Sequence, residues 1–161
     1  ELRIREIRGL LEQEREQESR LRAALAERKT HRSERADRLA ALEAELEQLG
    51  LRGQELKARE GALRVLLDDR GESDQHGRFG LSGDSARRRR QASRELKQIG
   101  RELAELARRR AAAGAEREGA QSAVRELTEA AAALEQDLAA VATRVERYRG
   151  TLDSLLLARG A

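Results

Sequence analysis

Leu39, Leu42, Leu46 and Leu49 follow one another at intervals of three, four and three residues. That beat averages 3.5 residues, which places all four on one stripe of a helix and makes a seam for another helix. The beat extends without a change of register through Ile4, Ile7, Leu11, Glu14, Glu18, Leu21, Leu25, Arg28, Arg32, Arg35, Leu39, Leu42, Leu46, Leu49, Gly53, Leu56, Glu60, Leu63 and Leu67. Twelve of these nineteen positions are apolar. The pattern predicts a helix over residues 1–69, roughly 100 Å long at about 1.5 Å per residue. A second seam runs from Leu96 through Ile99, Leu103, Leu106, Arg110, Ala113, Arg117, Ala120, Val124, Leu127, Ala131, Leu134, Leu138, Val141, Val145, Tyr148, Leu152 and Leu155, sixteen of eighteen apolar. It predicts a returning helix over residues 85–161.

Between the two, residues 70–84 hold Gly71, Gly77, Gly80 and Gly83 among Ser and Asp side chains. Such a cluster breaks helices and the seam stops there, so it marks the reversal. Asp84 or Ser85 suits the N-cap of the returning helix. The expected fold is all-α: a long antiparallel two-helix coiled-coil hairpin with a Gly-rich tip loop.

Two registers place seam against seam. In one, facing residue numbers total 166, setting Gly53 against Ala113 and Leu39 against Leu127. In the other they total 159, one heptad shorter and with a tighter tip. The first is favoured for matching small residues with small and for bringing the chain ends level. Gly50, Gly53 and Gly114 fall where leucines thin out, at Arg110, Ala113 and Arg117, and are the expected site of an elbow. Glu14, Glu18, Arg28, Arg32 and Arg35 occupy the first seam where the second is apolar and widened by Ala130–Ala133 and Ala139–Ala142. Two helices alone would leave part of that alanine face uncovered, so a helical protein partner or self-association is expected.

Composition sharpens this picture. Charged residues make up 39% of the 161 and aromatics 1%, with no Pro, which suits long solvated helices rather than an aromatic-filled core. The 33 basic and 30 acidic residues leave a net charge of only +3, so the charge reads as solvated helix faces. Arginine replaces lysine almost throughout, as in a GC-rich bacterial coding sequence. There is no Cys for a disulfide or thiolate metal site, and no apolar run long enough for a membrane span. The sequence does not fix the compartment; the cytoplasm is slightly favoured over the periplasm. A chain that starts at Glu1 and contains no Met is expected to be a fragment.

Candidate chemistry is sparse. Arg87, Arg88, Arg89 and Arg90 lie just beyond the tip, with Arg94 and Lys97 further on, and can neutralise phosphates or another anionic surface. Phe79 and Leu81 are the apolar side chains of the tip and suit a docking knob or a cap on the last coil layer. Gly77–Gly80 and Gly80–Gly83 match neither phosphate-loop pattern, and no strand precedes them. His31 and His76 lack a second ligand at metal spacing. No catalytic residue, cofactor or metal is expected, and an enzyme is not.

The double stripe from Leu39 to Leu67 and from Leu96 to Leu155, joined by a Gly-rich apex, resembles the coiled-coil arm of chromosome-maintenance and DNA-repair ATPases. The resemblance implies a spacer or lever beside nucleic acid. Those ATPases carry nucleotide-binding heads, and some carry a C-x-x-C zinc hook at the apex, neither of which this sequence holds. Leu81-Ser82-Gly83-Asp84-Ser85, opening the returning helix, is also similar to the hairpin of periplasmic murein hydrolase activators, which implies a cell-wall hydrolase regulator. No functional residue carries over from either family. The expected function is a non-catalytic scaffold, spacer or lever, with a nucleic-acid-associated arm as the alternative.

Overall fold

The computed structural model describes residues 1–73 and 83–160, and the side chains of residues 1–68 and 86–160. Two long helices, α1 (Leu2–Ser73) and α2 (Gly83–Gly160), pack together as a hairpin. α1 passes the expected end at Asp69, and α2 begins two residues before Ser85. Asp84 and Ser85 therefore lie inside α2 rather than at its cap, a shift within the ordinary spread of helix ends. Neither helix contains Pro, and their bulk is Ala, Leu, Glu and Arg, so propensity nowhere opposes the length.

The contacts divide into two units. One comprises Glu1–Arg38 with Gly119–Ala161, and the other Leu39–Glu118. In the first, Leu11 packs with Val141 and Val145, joined by Leu21, Tyr148 and Leu152. In the second, Leu42 and Leu56 of α1 and Ile99 and Ala113 of α2 are buried. All the buried apolar side chains among the described residues fall on the two predicted seams. That outcome reflects narrowness: a pair of helices hides one stripe each and little else. Leu42 and Val141, each 1% exposed, are the most completely enclosed.

The register differs from the favoured one. Arg52 reaches Glu102 and Arg59 reaches Glu95 across the second unit. These residues flank the seams, and in an antiparallel coiled coil they meet across the interface in the register totalling 159. In the first unit Glu14 meets Arg144, Glu1 meets Arg159, and Leu11 lies among Val141, Val145 and Tyr148, all in keeping with 159. Lys29 with Glu135 fits both registers. The register totalling 166 would seat Leu11 against Leu155 and Arg52 towards Arg109, a like-charge pair. Opposite charge along the flanks thus outweighs the small-to-small match of Gly53 with Ala113. Gly53 instead stands level with Leu106, and Ala113 with Leu46.

Because the chain has no cysteine of its own, the register is open to direct chemical test. Leu56→Cys with Leu103→Cys, which stand level, is expected to cross-link with a short bis-alkylating reagent. Leu56→Cys with Arg110→Cys, about 10 Å further along the helix, is expected not to. Peptide mapping after proteolysis reads the result, and the opposite preference would restore the longer register.

Candidate functional site

Charged residues on the first seam are handled in two ways. Glu14 and Glu18 stay half-buried, with side chains 16% and 19% exposed. Glu14 Oε1 accepts a hydrogen bond from Arg144 Nε at 2.8 Å, while Glu14 Oε2 is buried with no hydrogen-bond partner. The bond to Glu14 holds the Arg144 guanidinium still more firmly protonated than usual. Glu18 accepts a bond from Arg22 one turn away at 2.5 Å. In the observed register Glu14 stands level with Val145 and Glu18 with Val141, so carbon stems cover the valines while the carboxylates meet cations.

Arg28 and Arg35 do the opposite and stand exposed, because a guanidinium is costly to desolvate. Their departure opens a shallow groove lined by Arg28, His31, Glu34 and Arg35 against Ala123, Leu127 and Ala130. Arg32 remains half-buried. On the outer side of α2, Ala132, Ala133, Ala139 and Ala140 are exposed, while Ala131 is buried and Ala130 half-buried, so part of the alanine face remains uncovered. Beside the groove Lys29 and Glu135 form a 2.8 Å ion pair, and that hydrogen bond together with the lysine charge holds the Glu135 carboxyl below its ordinary value.

In the second unit Gly50 and Gly53 line an open groove with Leu49, Leu103, Leu106 and Arg110. Its origin is the register: glycine at Gly53 offers nothing to fill the space beside Leu106. Gly50, Gly53 and Gly114 sit within continuous helix, and none of the described residues has positive φ. A Cβ added at any of the three meets no atom within 4 Å. Helix geometry therefore does not require glycine at these positions. Arg117, level with Leu42, has a buried Nε without a hydrogen-bond partner, and its stem helps account for Leu42 being so well enclosed.

The arginine run does not act as one cluster. Arg87, Arg88 and Arg90 are exposed, while Arg89 falls on the seam side and is half-buried. Four consecutive residues span more than three quarters of a turn, so they cannot share a face. Phe79 and Leu81, like His76, lie outside the described residues. His31 is exposed. Among the described residues no group of three His, Cys, Asp or Glu side chains is placed to hold a metal ion. Among them, too, no helix is long and apolar enough to cross a membrane. Compared with known proteins, the chain matches no protein-family model, no curated protein and no solved structure.

Gly50→Ala with Gly53→Ala adds methyl groups into open space, and is expected to stabilise the hairpin by about 1 kcal/mol per position through helix propensity. If instead an elbow needs these glycines, the double variant narrows the distance distribution between spin labels on the two sides of Gly53, in addition to raising the urea midpoint. Glu135 carries a depressed folded-state pKa, so its support is present above about pH 4.5 and is lost as pH falls through the folded value. Glu135→Gln is expected to flatten that acid limb, read as urea midpoint against pH.

Proposed function

We propose that the hairpin is a non-catalytic assembly element, a scaffold or lever that holds its attachments apart and joins a further helix along its uncovered small-residue face. The observation that carries this reading is the mismatch between apolar surface and cover. The seams bury their own stripes, yet Ala132, Ala133, Ala139 and Ala140 remain exposed on the outer side of α2. At 100° per residue these four span an arc of about 120° on one side of the helix. Small side chains there let a partner backbone approach closely, which favours a helix over a bulky globular surface.

The remaining large apolar exposures are consistent with contacts along the hairpin. Leu51, Val65 and Leu66 stand more than half exposed on α1, as do Leu2 and, on α2, Leu157. Scattered single leucines are ordinary on a surface. It is the clustered alanines, outside a seam already satisfied, that favour association. A second copy of the chain is the simplest partner, since it brings the same face. The likeness to arms of chromosome-maintenance ATPases supports the lever reading at the level of architecture alone.

Sedimentation equilibrium distinguishes the outcomes. The weight-average mass is expected to rise above the monomer's 18.0 kDa with concentration. Ala133→Glu with Ala140→Glu is expected to hold it at the monomer value while leaving helicity unchanged. A mass fixed at one chain over the whole accessible range would overturn self-association through this face.

A further inference from the structure

A second three–four pattern runs along the solvent side of α2 in the unit Leu39–Glu118, and it is made of cations. Arg87, Arg90, Arg94, Lys97, Arg101 and Arg108 step by three, four, three, four and seven residues. At 3.6 residues per turn they fall within an arc of about 80° and along roughly 32 Å of helix. All six are exposed. Among the described residues none of the six takes part in an ion pair, whereas Arg52, Arg59, Arg64 and Arg109 of the same unit each hold a glutamate.

Among the described residues, the acidic side chains nearest this stripe are engaged elsewhere. Glu95 and Glu102 flank the seam and are held by Arg59 and Arg52 of α1. Glu105, at the edge of the arc, is held by Arg109. The protein's net charge is only +3, so the stripe is a local asymmetry and not a reflection of general basicity. Like charges three and four residues apart on a helix repel one another. The arrangement therefore weakens the free helix, and a regular polyanion laid along it would relieve the repulsion.

We propose that this stripe docks the sugar–phosphate backbone of a nucleic-acid duplex, independently of base sequence. A duplex is a straight polyanion with one charge per ~1.7 Å of axis, and one turn of it is about as long as the stripe. Five of the six cations are arginines, whose planar fork donates two hydrogen bonds to one phosphate. A lipid surface is a poorer fit. Helices that lie on membranes set large apolar side chains beside their cations, and here the neighbours are Gln91, Gln98 and Ala104. The docking surface goes beyond the assembly reading and is independent of it, since it lies on a different unit of the chain from the alanine face.

The test uses the whole chain and a fluorescently labelled duplex DNA of arbitrary sequence, about 30 base pairs long, with anisotropy read over a series of KCl concentrations. Binding is expected at low salt, with log K falling linearly in log[KCl] at a slope of about −5 if all six cations meet phosphates. Arg94→Glu, Lys97→Glu and Arg101→Glu together are expected to weaken binding more than 100-fold at the lowest salt. Arg5→Glu, Arg8→Glu and Arg15→Glu make the same change in net charge on exposed positions of α1, and are expected to weaken it less than fivefold. Circular dichroism checks that both variants remain helical. No binding by the natural chain, equal losses in the two triple variants, or equally tight binding to polyglutamate or phosphatidylserine vesicles would each overturn the proposal.

Discussion

A helix of 72 residues with an apolar stripe one or two side chains wide has one way to take that stripe out of water. It must lie against a second helix whose stripe has the same period. α2 supplies it, and the remaining features are arranged around that pairing. Among the described residues there is no aromatic-filled interior and no layer beyond the two helices. Each level of the seam contributes a single facing pair, so a poor pair at one level is felt locally and leaves its neighbours intact.

That local character explains how so many charged residues are tolerated on the first seam. Glu14 and Glu18 stand level with valines, and Arg117 stands level with Leu42. A long charged side chain facing a shorter apolar one can lay its methylenes over it and still bring its head to the rim. The two most enclosed apolar side chains, Leu42 and Val141, are each level with such a residue. At Arg28 and Arg35 the side chain leaves the seam and a groove results, with Glu34 and Glu126 among its lining. Thus the balance between stem burial and head solvation is struck position by position along the seam.

The elements, their pairing direction and the identity of the buried residues were legible in the leucine spacing, because period and burial are the same fact for a two-helix structure. The register was not legible from the seam alone. Leucine faces leucine tolerably in either alignment, so the core distinguishes them weakly. The discriminating information lay in the flanking positions, where Arg52 and Arg59 find Glu102 and Glu95 in one register and Arg52 meets Arg109 in the other. The candidate basic site was half legible for a related reason. Arg87 to Arg90 draw the eye as neighbours in sequence, yet Arg89 turns to the seam. The residues that share a face with Arg87 are spaced by three and four, and Arg101 and Arg108 emerge only when the helix is laid out as a cylinder.

In the second unit, α2 carries two stripes of the same period and opposite chemistry. Leu96, Ile99, Leu103 and Leu106 face α1, while Arg94, Lys97, Arg101 and Arg108 face water. Since both repeat at three and four, neither drifts into the other over this length, and the glutamates between them are tied to α1 by Arg52 and Arg59. Those ion pairs have a consequence beyond register. By drawing Glu95 and Glu102 towards the seam they keep these two carboxylates off the outer side, so that the pairing that fixes the fold also helps leave the stripe without ion pairs among the described residues. An alignment one heptad away would shift the glutamates' partners without changing the outer stripe itself. The charge of that face is therefore a property of α2's own helical period, and its freedom from internal neutralisation is a property of how α2 meets α1.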